Sequence, residues 1–215
     1  FQAISKTPLL IAIDGEWGLS MRLDDTPRYP KQLTLGAIQN NSLINDMGAD
    51  IAAQCKRMGI HVNLAPVVDV NNNPNNPVIN DRSFGEDKYN VANKGIAYMQ
   101  GMEQNGIIAC AKHFPGHGDT DSDSHKTLPT ISFSKERIDS IEIYPYKKLI
   151  SKGLSGVMVA HLNIPSLESR TGYPSTLSKN IVTDILKTKL QFNGLVITDA
   201  LNMKGASDFS KPGDV

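Results

Sequence analysis

Cysteine is scarce in this chain of 215 residues, which contains only Cys55 and Cys110. Two cysteines so far apart form neither a metal-binding box nor a disulfide framework, so the redox compartment stays open. A surplus of either charge is also missing, because Lys plus Arg and Asp plus Glu each number 22. Without a basic field the chain has no strong electrostatic attraction for nucleic acid or anionic lipid, and we expect neither as a partner.

Long apolar runs are absent as well. No stretch of the sequence approaches the roughly 20 residues that span a bilayer, so we expect no membrane insertion. Residues 1–6 do not resemble a signal peptide, and any signal would precede Phe1, which leaves a cytoplasmic and a periplasmic location open. The chain also lacks the G-x-G-x-x-G and Walker glycine patterns, which argues against a nucleotide-binding fold.

The composition that is present is that of a globular protein. Hydrophobic residues make up 40% of the chain and charged residues 20%, which is ordinary for a soluble domain with a sizeable core. No low-complexity linker interrupts the sequence. The sequence therefore predicts a single domain over residues 1–215.

Five short apolar segments alternate with polar loops and helical patterns, which is typical of parallel βα units. They cover residues 9–13, 62–68, 107–111, 156–160 and 195–198. A polar residue follows each segment within a residue or two: Asp14, Asp69, His113, His161 and Asp199. In a (β/α)8 TIM barrel every strand delivers its last residues to a common mouth, whereas a doubly wound sheet gathers its site at one crevice. The pattern favours an α/β fold of the TIM-barrel type.

The helical patterns differ in clarity. The clearest covers residues 179–190 behind Ser178, which is predicted to be its N-cap. A second runs over residues 135–152 behind Ser134, with Pro145 predicted to kink its middle. Less regular helices are predicted near residues 35–58 and 88–105, and a loop over residues 71–80.

Residues 112–125 concentrate three histidines, three aspartates and two glycines behind the third apolar segment. The segment should therefore place a polar loop at the C-terminal end of a strand, where α/β folds carry their sites. An Asp-x-Asp-x-Asp pattern at residues 119–123 invites a calcium-loop interpretation. We reject it, because Ser124 replaces the glycine of the sharp turn and Thr130 replaces the bidentate glutamate.

Two pairs in this loop suggest different chemistry. A zinc site at His113 and His117 is a weak hypothesis, because the proline and glycine between them prevent the helical turn that aligns such a pair. Asp123 and His125 are two residues apart, so the carboxylate can hold one imidazole nitrogen and leave the other free as an acid or base. A solvated polar loop explains this spacing equally well.

Asp199 has two interpretations. Taken alone, it is better explained as the cap of a helix at residues 201–205 than as a nucleophile at the end of a strand. A nucleophilic carboxylate and a separate proton donor are, however, the groups that retaining glycoside hydrolysis requires. In that case Lys112, Arg82 and Asp14 would orient the sugar hydroxyls.

Five motifs then carry a specific resemblance. They read Ile-Asp-Gly-Glu-Trp-Gly at 13–18, Asn-Leu-Ala-Pro-Val-Val-Asp-Val at 63–70, Asp-Arg-Ser-Phe-Gly at 81–85, Lys-His-Phe-Pro-Gly-His-Gly at 112–118 and Ile-Thr-Asp-Ala-Leu-Asn-Met at 197–203. In this order the chain resembles the family 3 glycoside hydrolases, specifically their bacterial β-N-acetylglucosaminidase branch. The motifs span nearly the whole chain.

The resemblance implies roles for nine residues. Asp199 would form a covalent glycosyl-enzyme intermediate, and His125, oriented by Asp123, would act as general acid and then as general base. The implied sugar-binding residues are Asp14, Arg22, Arg82, Lys112 and His113, with His161 lining the same mouth. The implied substrate is a peptidoglycan fragment that carries terminal β-linked N-acetylglucosamine, and no metal or organic cofactor is implied.

The chain departs from the family pattern in two ways. Trp17 replaces a glycine and Gly15 a glutamine of the usual Asp-Gln-Glu-Gly-Gly motif, which would reshape the wall near the sugar. The family barrel has eight βα units, whereas this chain matches about five, so we expect an incomplete barrel whose unpaired edges promote self-association. Two alternatives stay open: a catalytically incomplete fragment that only binds sugar or a partner chain, and a phosphorylase, because a neutral histidine would not repel phosphate.

Overall fold

The computed structural model describes residues 2–124 and 127–209, and one five-stranded parallel sheet organises them. Each strand pairs with the next one along the chain, so the spatial order equals the sequence order. This arrangement confirms the predicted α/β class with five βα units. The strands are β1 (Ala12–Ile13), β2 (Val62–Asn63), β3 (Ile108–Phe114), β4 (Gly156–Val159) and β5 (Leu195–Thr198).

Helices connect the strands. The α-helices are α1 (Gln32–Gly36), α2 (Ser42–Arg57), α3 (Lys88–Glu103), α4 (Lys135–Ser140), α5 (Tyr144–Ile150) and α6 (Lys204–Ser207), and a π-helix covers Asn180–Lys189. Short 3-10 turns cover Gln2–Ile4, Leu19–Met21, Asn80–Arg82 and Ser175–Leu177. Within the described ranges, no helix combines the length and the apolar character that crossing a membrane requires.

Ser134 is the N-cap of α4 as predicted, whereas the N-cap position of the π-helix is Lys179, one residue after Ser178. Ser134 Oγ accepts the Arg137 N–H at the start of α4, 3.2 Å away. Ser178 Oγ accepts the Ile181 N–H at 3.2 Å, although the π-helix begins only at Asn180. Each hydroxyl satisfies an N–H that has no partner within its own helix.

The predicted helix over residues 135–152 was wrong in its continuity. The chain breaks between α4 and α5, and Pro145 lies in the first turn of α5 instead of kinking a longer helix. Proline is favourable there because the first turn needs no N–H donor from it. The predicted helix over residues 35–58 is likewise divided, into α1 and α2.

Two strand boundaries differ from the prediction in ways that matter for the site. β2 ends at Asn63, short of residue 68, because Pro66 has no N–H to continue the ladder. Irregular pairing with β3 nevertheless continues, since the Pro66 carbonyl accepts the Lys112 N–H at 3.1 Å and the Val68 N–H donates to the Lys112 carbonyl at 2.8 Å. β3 continues to Phe114, so Lys112 and His113 belong to the strand itself and not to the loop after it.

Helices α2, α3 and α5 form a layer against the sheet, and α2 packs closely on α3. Gly101 permits this approach, because a Cβ there would lie 2.1 Å from the Asn45 carbonyl oxygen. Ile51 and Tyr98 are fully buried in this layer. A second buried cluster of Val62, Cys110 and Met158 lies on the strands themselves. Polar groups can therefore gather at the ends of the strands, beyond both apolar clusters.

Candidate active site

The C-terminal ends of the strands open into a cleft of about 500 Å³, a size that suits a small ligand. Asp14 follows β1 and Asp199 follows β5, and both line this cleft although these strands are the two edges of the sheet. The sheet must therefore curl so that its edges face a common space. Six of the nine predicted site residues line it: Asp14, Arg22, Arg82, Lys112, His113 and Asp199.

Lys112 is the centre of a buried ion-pair network. Its side chain is 2% exposed, and its Nζ lies 2.8 Å from Asp14 Oδ1 and 2.8 Å from Glu16 Oε1. The other carboxylate oxygen of Asp14 accepts a hydrogen bond from Arg22 Nη2 at 2.9 Å. One lysine on β3 thus fixes two carboxylates on the loop after β1.

Glu16 carries the network on to Arg82. The guanidinium donates from Nε to Oε2 at 3.0 Å and from Nη2 to Oε1 at 2.7 Å, which is the two-pronged geometry that favours Arg over Lys. Arg82 Nη2 also lies 3.5 Å from His113 Nε2. Sequence reasoning missed Glu16, although it stands in the same motif as Asp14, two residues further on.

The network keeps its members charged. Burial alone would raise the pKa of Glu16, but Lys112 and Arg82 outweigh it and hold that pKa well below its ordinary value. The pKa of Asp14 is lowered for the same reason, since Lys112 and Arg22 outweigh the effect of burial. Burial would lower the pKa of Lys112, yet Glu16 and Asp14 raise it. The cleft therefore presents fixed charges at neutral pH.

Asp69 orients the two histidines of the Lys-His-Phe-Pro-Gly-His-Gly motif. It is fully buried, and its Oδ2 lies 2.7 Å from His113 Nδ1 while its Oδ1 accepts the His117 N–H at 2.7 Å. An Nδ1–H tautomer of His113 satisfies Asp69 and leaves Nε2 as an acceptor facing Arg82. Burial would raise the pKa of Asp69, but His113 and His117 lower it overall.

His117 is a structural member of the cleft wall. Burial, followed by the nearby His113, lowers the pKa of His117 to about 4, so the imidazole is neutral at pH 7. Its Nδ1 lies 2.7 Å from Thr120 Oγ1 and its Nε2 lies 3.1 Å from Ser124 Oγ. Both nitrogens are thus used to fold the loop.

Asp199 lies at the mouth of the cleft. Its N–H donates to the Val159 carbonyl at 2.9 Å, which continues the pairing of β5 with β4. Its Oδ1 accepts the neighbouring Ala200 N–H at 2.8 Å. The interpretation of Asp199 as a helix cap fails, because the next helix is α6, which begins at Lys204 with Met203 in the N-cap position.

Three predicted site residues are not among the described residues that line the cleft: His161, Asp123 and His125. His161 does not line the cleft: it is fully buried, with Nδ1 2.6 Å from Thr176 Oγ1 and Nε2 3.1 Å from the Ala200 carbonyl. Through its contact with the Ala200 carbonyl, His161 supports the residue that follows Asp199. Asp123 precedes Ser124, which lines the cleft, and the Asp123 carbonyl accepts the Thr127 N–H at 3.0 Å. His125 lies outside the described residues.

Arg137 in α4 links the loop that leads to Asp123 to the turn between α4 and α5. Its Nη2 lies 2.9 Å from Asp119 Oδ2 and its Nη1 lies 2.6 Å from Glu142 Oε1. Glu142 is 1% exposed, and burial raises its pKa despite the opposing effect of Arg137. This clamp was not predicted, because nothing in the spacing links residue 119 to residue 137.

Across residues 2–124 and 127–209, no three His, Cys, Asp or Glu side chains are grouped so that they could hold a metal ion. His113 and His117, the pair considered for zinc, are engaged with Asp69, Thr120 and Ser124 instead.

Comparison with known proteins identifies the family. Residues 2–215 match the model described as the glycosyl hydrolase family 3 N terminal domain. The chain belongs to this family. It is 37% identical over 228 aligned residues to beta-hexosaminidase A of Pseudoalteromonas piscicida, an alignment that covers 99% of this chain and 38% of that protein.

Solved structures agree with the match. A family 3 beta-N-acetylglucosaminidase from Paenibacillus superposes with a TM-score of 0.91 at 40% identity over 94% of this chain and 39% of its own. A beta-glucoside phosphorylase superposes with a TM-score of 0.94 at 28% identity over 98% of this chain and 40% of its own. These likenesses confirm the incomplete TIM-barrel type. The chain spans about two fifths of the length of each of these three proteins.

Proposed function

We propose that this chain is the catalytic barrel region of an exo-acting β-N-acetylglucosaminidase and that residues 1–215 act as one partial barrel domain. One observation carries the proposal: the cleft unites Asp199 with an ion-pair network that is rich in fixed hydrogen-bonding groups. The names of the similar beta-hexosaminidase and beta-N-acetylglucosaminidase support the same activity.

Asp199 is the proposed nucleophile of a retaining mechanism. Its carboxylate would attack the anomeric carbon of the terminal sugar and displace the leaving oxygen, giving a glycosyl-aspartate ester. The Ala200 N–H on Oδ1 fixes the rotation of the carboxylate, and the buried His161 holds the Ala200 carbonyl in turn. Water would then attack the same carbon and release the sugar with its configuration retained.

His125 is the proposed acid and base, with Asp123 as its orienting partner. An imidazolium would protonate the leaving oxygen, and the neutral imidazole would then take a proton from water. We expect substitution of His125 by Ala to lower kcat by roughly 10² to 10⁴. The wild-type rate should fall on both sides of an optimum, and a flat profile between about pH 5 and 8 would contradict the assignment.

The other predicted residues of the cleft are proposed to bind the sugar. Asp14, Arg22, Arg82, Lys112 and His113 are proposed to contact the hydroxyl and N-acetyl groups of terminal N-acetylglucosamine. Their contacts with one another and with Glu16 and Asp69 hold the side chains in place before substrate arrives, which lowers the entropy lost on binding. The finer proposal of a peptidoglycan fragment as substrate rests on the motif resemblance alone. Self-association through β1 and β5 belongs to the same proposal, since each has a single neighbour in the described sheet.

The decisive experiment measures release of p-nitrophenol from its β-N-acetylglucosaminide by the chain and by an Asp199→Ala variant. We expect the variant to lose activity by a factor on the order of 10⁴. Asp184→Ala is the matched control, because Asp184 is an exposed carboxylate in an ion pair with Lys179. Unchanged turnover in Asp199→Ala would exclude the proposed nucleophile. No turnover by a folded wild-type chain would favour the sugar-binding alternative.

A phosphorylase is the second candidate, and the superposition on a beta-glucoside phosphorylase favours considering it. The two activities differ in the acceptor, which is water in one and phosphate in the other. Product analysis in phosphate buffer separates them, since only phosphorolysis yields the sugar 1-phosphate.

A further inference from the structure

Trp17 has no part in the proposed chemistry, although its side chain lines the cleft. In the sequence it lies between Asp14 and Arg22, which line the same cleft. It is the single tryptophan of the 215 residues. Its side chain is half-buried. An indole among the charged groups that line the cleft offers an aromatic surface, and the proposed chemistry does not explain it.

The backbone around Trp17 is fixed. Its carbonyl accepts the Tyr29 N–H at 3.1 Å and the Ser20 hydroxyl at 3.4 Å. Gly18 follows with φ 89°, and a Cβ there would lie 2.8 Å from the Tyr29 ring. The loop therefore needs a glycine at that position, and it holds Trp17 at a defined place on the rim.

The ring itself is held from one side. Lys31 Nζ lies 5.3 Å from the indole centroid, a cation–π distance. The same Nζ lies 2.6 Å from Asp81 Oδ2, next to the cleft residue Arg82. Because Lys31 lies over one face of the indole, a ligand that packs on Trp17 would have to use the opposite face.

The sheet topology indicates which part of a sugar would reach this face. The bond broken in the proposed reaction joins C1 to the leaving oxygen, and C1 must lie at Asp199 after β5. Trp17 follows β1, at the opposite edge of the curled sheet. The sugar atoms nearest Trp17 are then those farthest from C1, around C4 at the non-reducing end.

The chemistry of a pyranose ring decides what fits there. A gluco-configured ring with equatorial substituents presents axial C–H groups, which pack on an aromatic face. A galacto-configured ring carries an axial C4 hydroxyl on one of its two faces. If that face packs on the indole, the hydroxyl loses hydration without gaining a hydrogen bond. The two epimers therefore differ most at this wall.

We propose that Trp17 is an apolar platform for the non-reducing end of the terminal sugar and selects gluco-configured over galacto-configured N-acetylhexosamines. This inference rests on the proposed function, and it assigns Trp17 a role in specificity and not in the chemical step. It concerns a position at which the chain departs from the glycine expected from its motif.

Tryptophan fluorescence tests the proposal directly, because Trp17 is the only source of the signal in this chain. The wild-type chain is titrated with free N-acetylglucosamine and with free N-acetylgalactosamine, and calorimetry follows the same titrations. We expect a saturable change in emission with N-acetylglucosamine, at the dissociation constant that calorimetry gives, and weaker binding of the epimer. Binding of N-acetylglucosamine by calorimetry with unchanged emission would overturn the proposal.

A kinetic measurement provides a second test of the role of Trp17. The ratio of kcat/KM between the p-nitrophenyl β-glycosides of N-acetylglucosamine and N-acetylgalactosamine is compared in wild type, Trp17→Ala and Trp17→Phe. We expect Trp17→Ala to reduce the ratio by about 10-fold or more and Trp17→Phe, which keeps an aromatic face, to preserve most of it. A general loss of structure would lower both rates and leave the ratio unchanged, which would refute the selective role.

The two proposals fail differently. If the chain hydrolyses both glycosides and the ratio does not respond to Trp17, only the platform is excluded. If neither sugar binds by calorimetry and neither glycoside is hydrolysed, the proposed function is excluded, and the platform with it.

Discussion

Removing the buried cation of the cleft should destabilise the fold far more than removing an exposed one. Lys112 is 2% exposed and holds two carboxylates at 2.8 Å, of which Glu16 is fully buried. Lys112→Met keeps an unbranched side chain of similar length but leaves these carboxylates without their shared partner. Breaking a buried ion pair from one side costs about 3–5 kcal/mol. We expect about 3 kcal/mol, the lower end, because Arg82 and Arg22 still hold one carboxylate each.

Lys179→Met is the matched control. Lys179 Nζ lies 2.7 Å from Asp184 Oδ1, yet the two side chains are 72% and 51% exposed. Such a pair contributes about 0.2–1 kcal/mol. Urea denaturation of wild type and both variants at pH 7, analysed with a common m-value, gives the two losses. A difference between the variants below about 1 kcal/mol would refute the argument that burial makes the Lys112 pairs costly to break.

The pH dependence of the same difference provides a further check. The pKa of Glu16 is depressed from 4.5 in the folded chain, so its ionised form stabilises the fold above pH 4.5 and this stability is lost as the pH falls. The pKa of Lys112 is raised from 10.5, so its contribution is complete below pH 10.5 and is lost as the pH rises further. The cost of Lys112→Met should therefore be largest between about pH 5 and 10 and shrink as the pH falls below 4.5, because protonation of Glu16 removes one of the two charges that Lys112 pairs with.

One further prediction concerns the loop before Asp123. Arg137→Met should lower kcat, because Asp119 loses its anchor, and should cost about 1.5–3 kcal/mol of stability, because the buried Glu142 loses its charged partner. Adding Glu142→Gln should recover stability but not kcat, whereas recovery of both by the double variant would contradict an anchoring role for Arg137.

The sequence predicted the fold class and the composition of the cleft for one shared reason. Parallel βα units place the residues after each strand at the same edge, so Asp14, His113 and Asp199 could be grouped from their positions after apolar segments alone. Boundaries were less accurate. β3 includes Lys112 and His113, and the end of β2 depends on Pro66, whose effect on pairing shows only when the neighbouring strand is known.

Partners within the cleft could not be predicted, because they lie far apart in the sequence. Glu16 meets Arg82 across 66 positions, and Lys112 meets Asp14 across 98. Spacing arguments reach only a few residues, so they could suggest Asp123 and His125 as a pair, which stays a prediction, and they missed Glu16 as the bridge between two cations. His161 follows a strand like the others, yet its hydrogen bond to Thr176 could not be predicted from that position.

The charge balance of the cleft bears on the choice between water and phosphate as the second substrate. The described lining residues include three Lys or Arg side chains and three Asp or Glu side chains, so the formal charges of these six groups sum to zero. An incoming phosphate dianion is attracted by a surplus of positive charge, and these residues offer none, because each arginine and the lysine is already paired with Asp14 or Glu16. A neutral sugar does not require a surplus of positive charge, and its hydroxyl groups can pair with both hydrogen-bond donors and acceptors. On this balance we expect hydrolysis to dominate over phosphorolysis. The residues that enter the sum are Arg22, Arg82, Lys112, Asp14, Glu16 and Asp199.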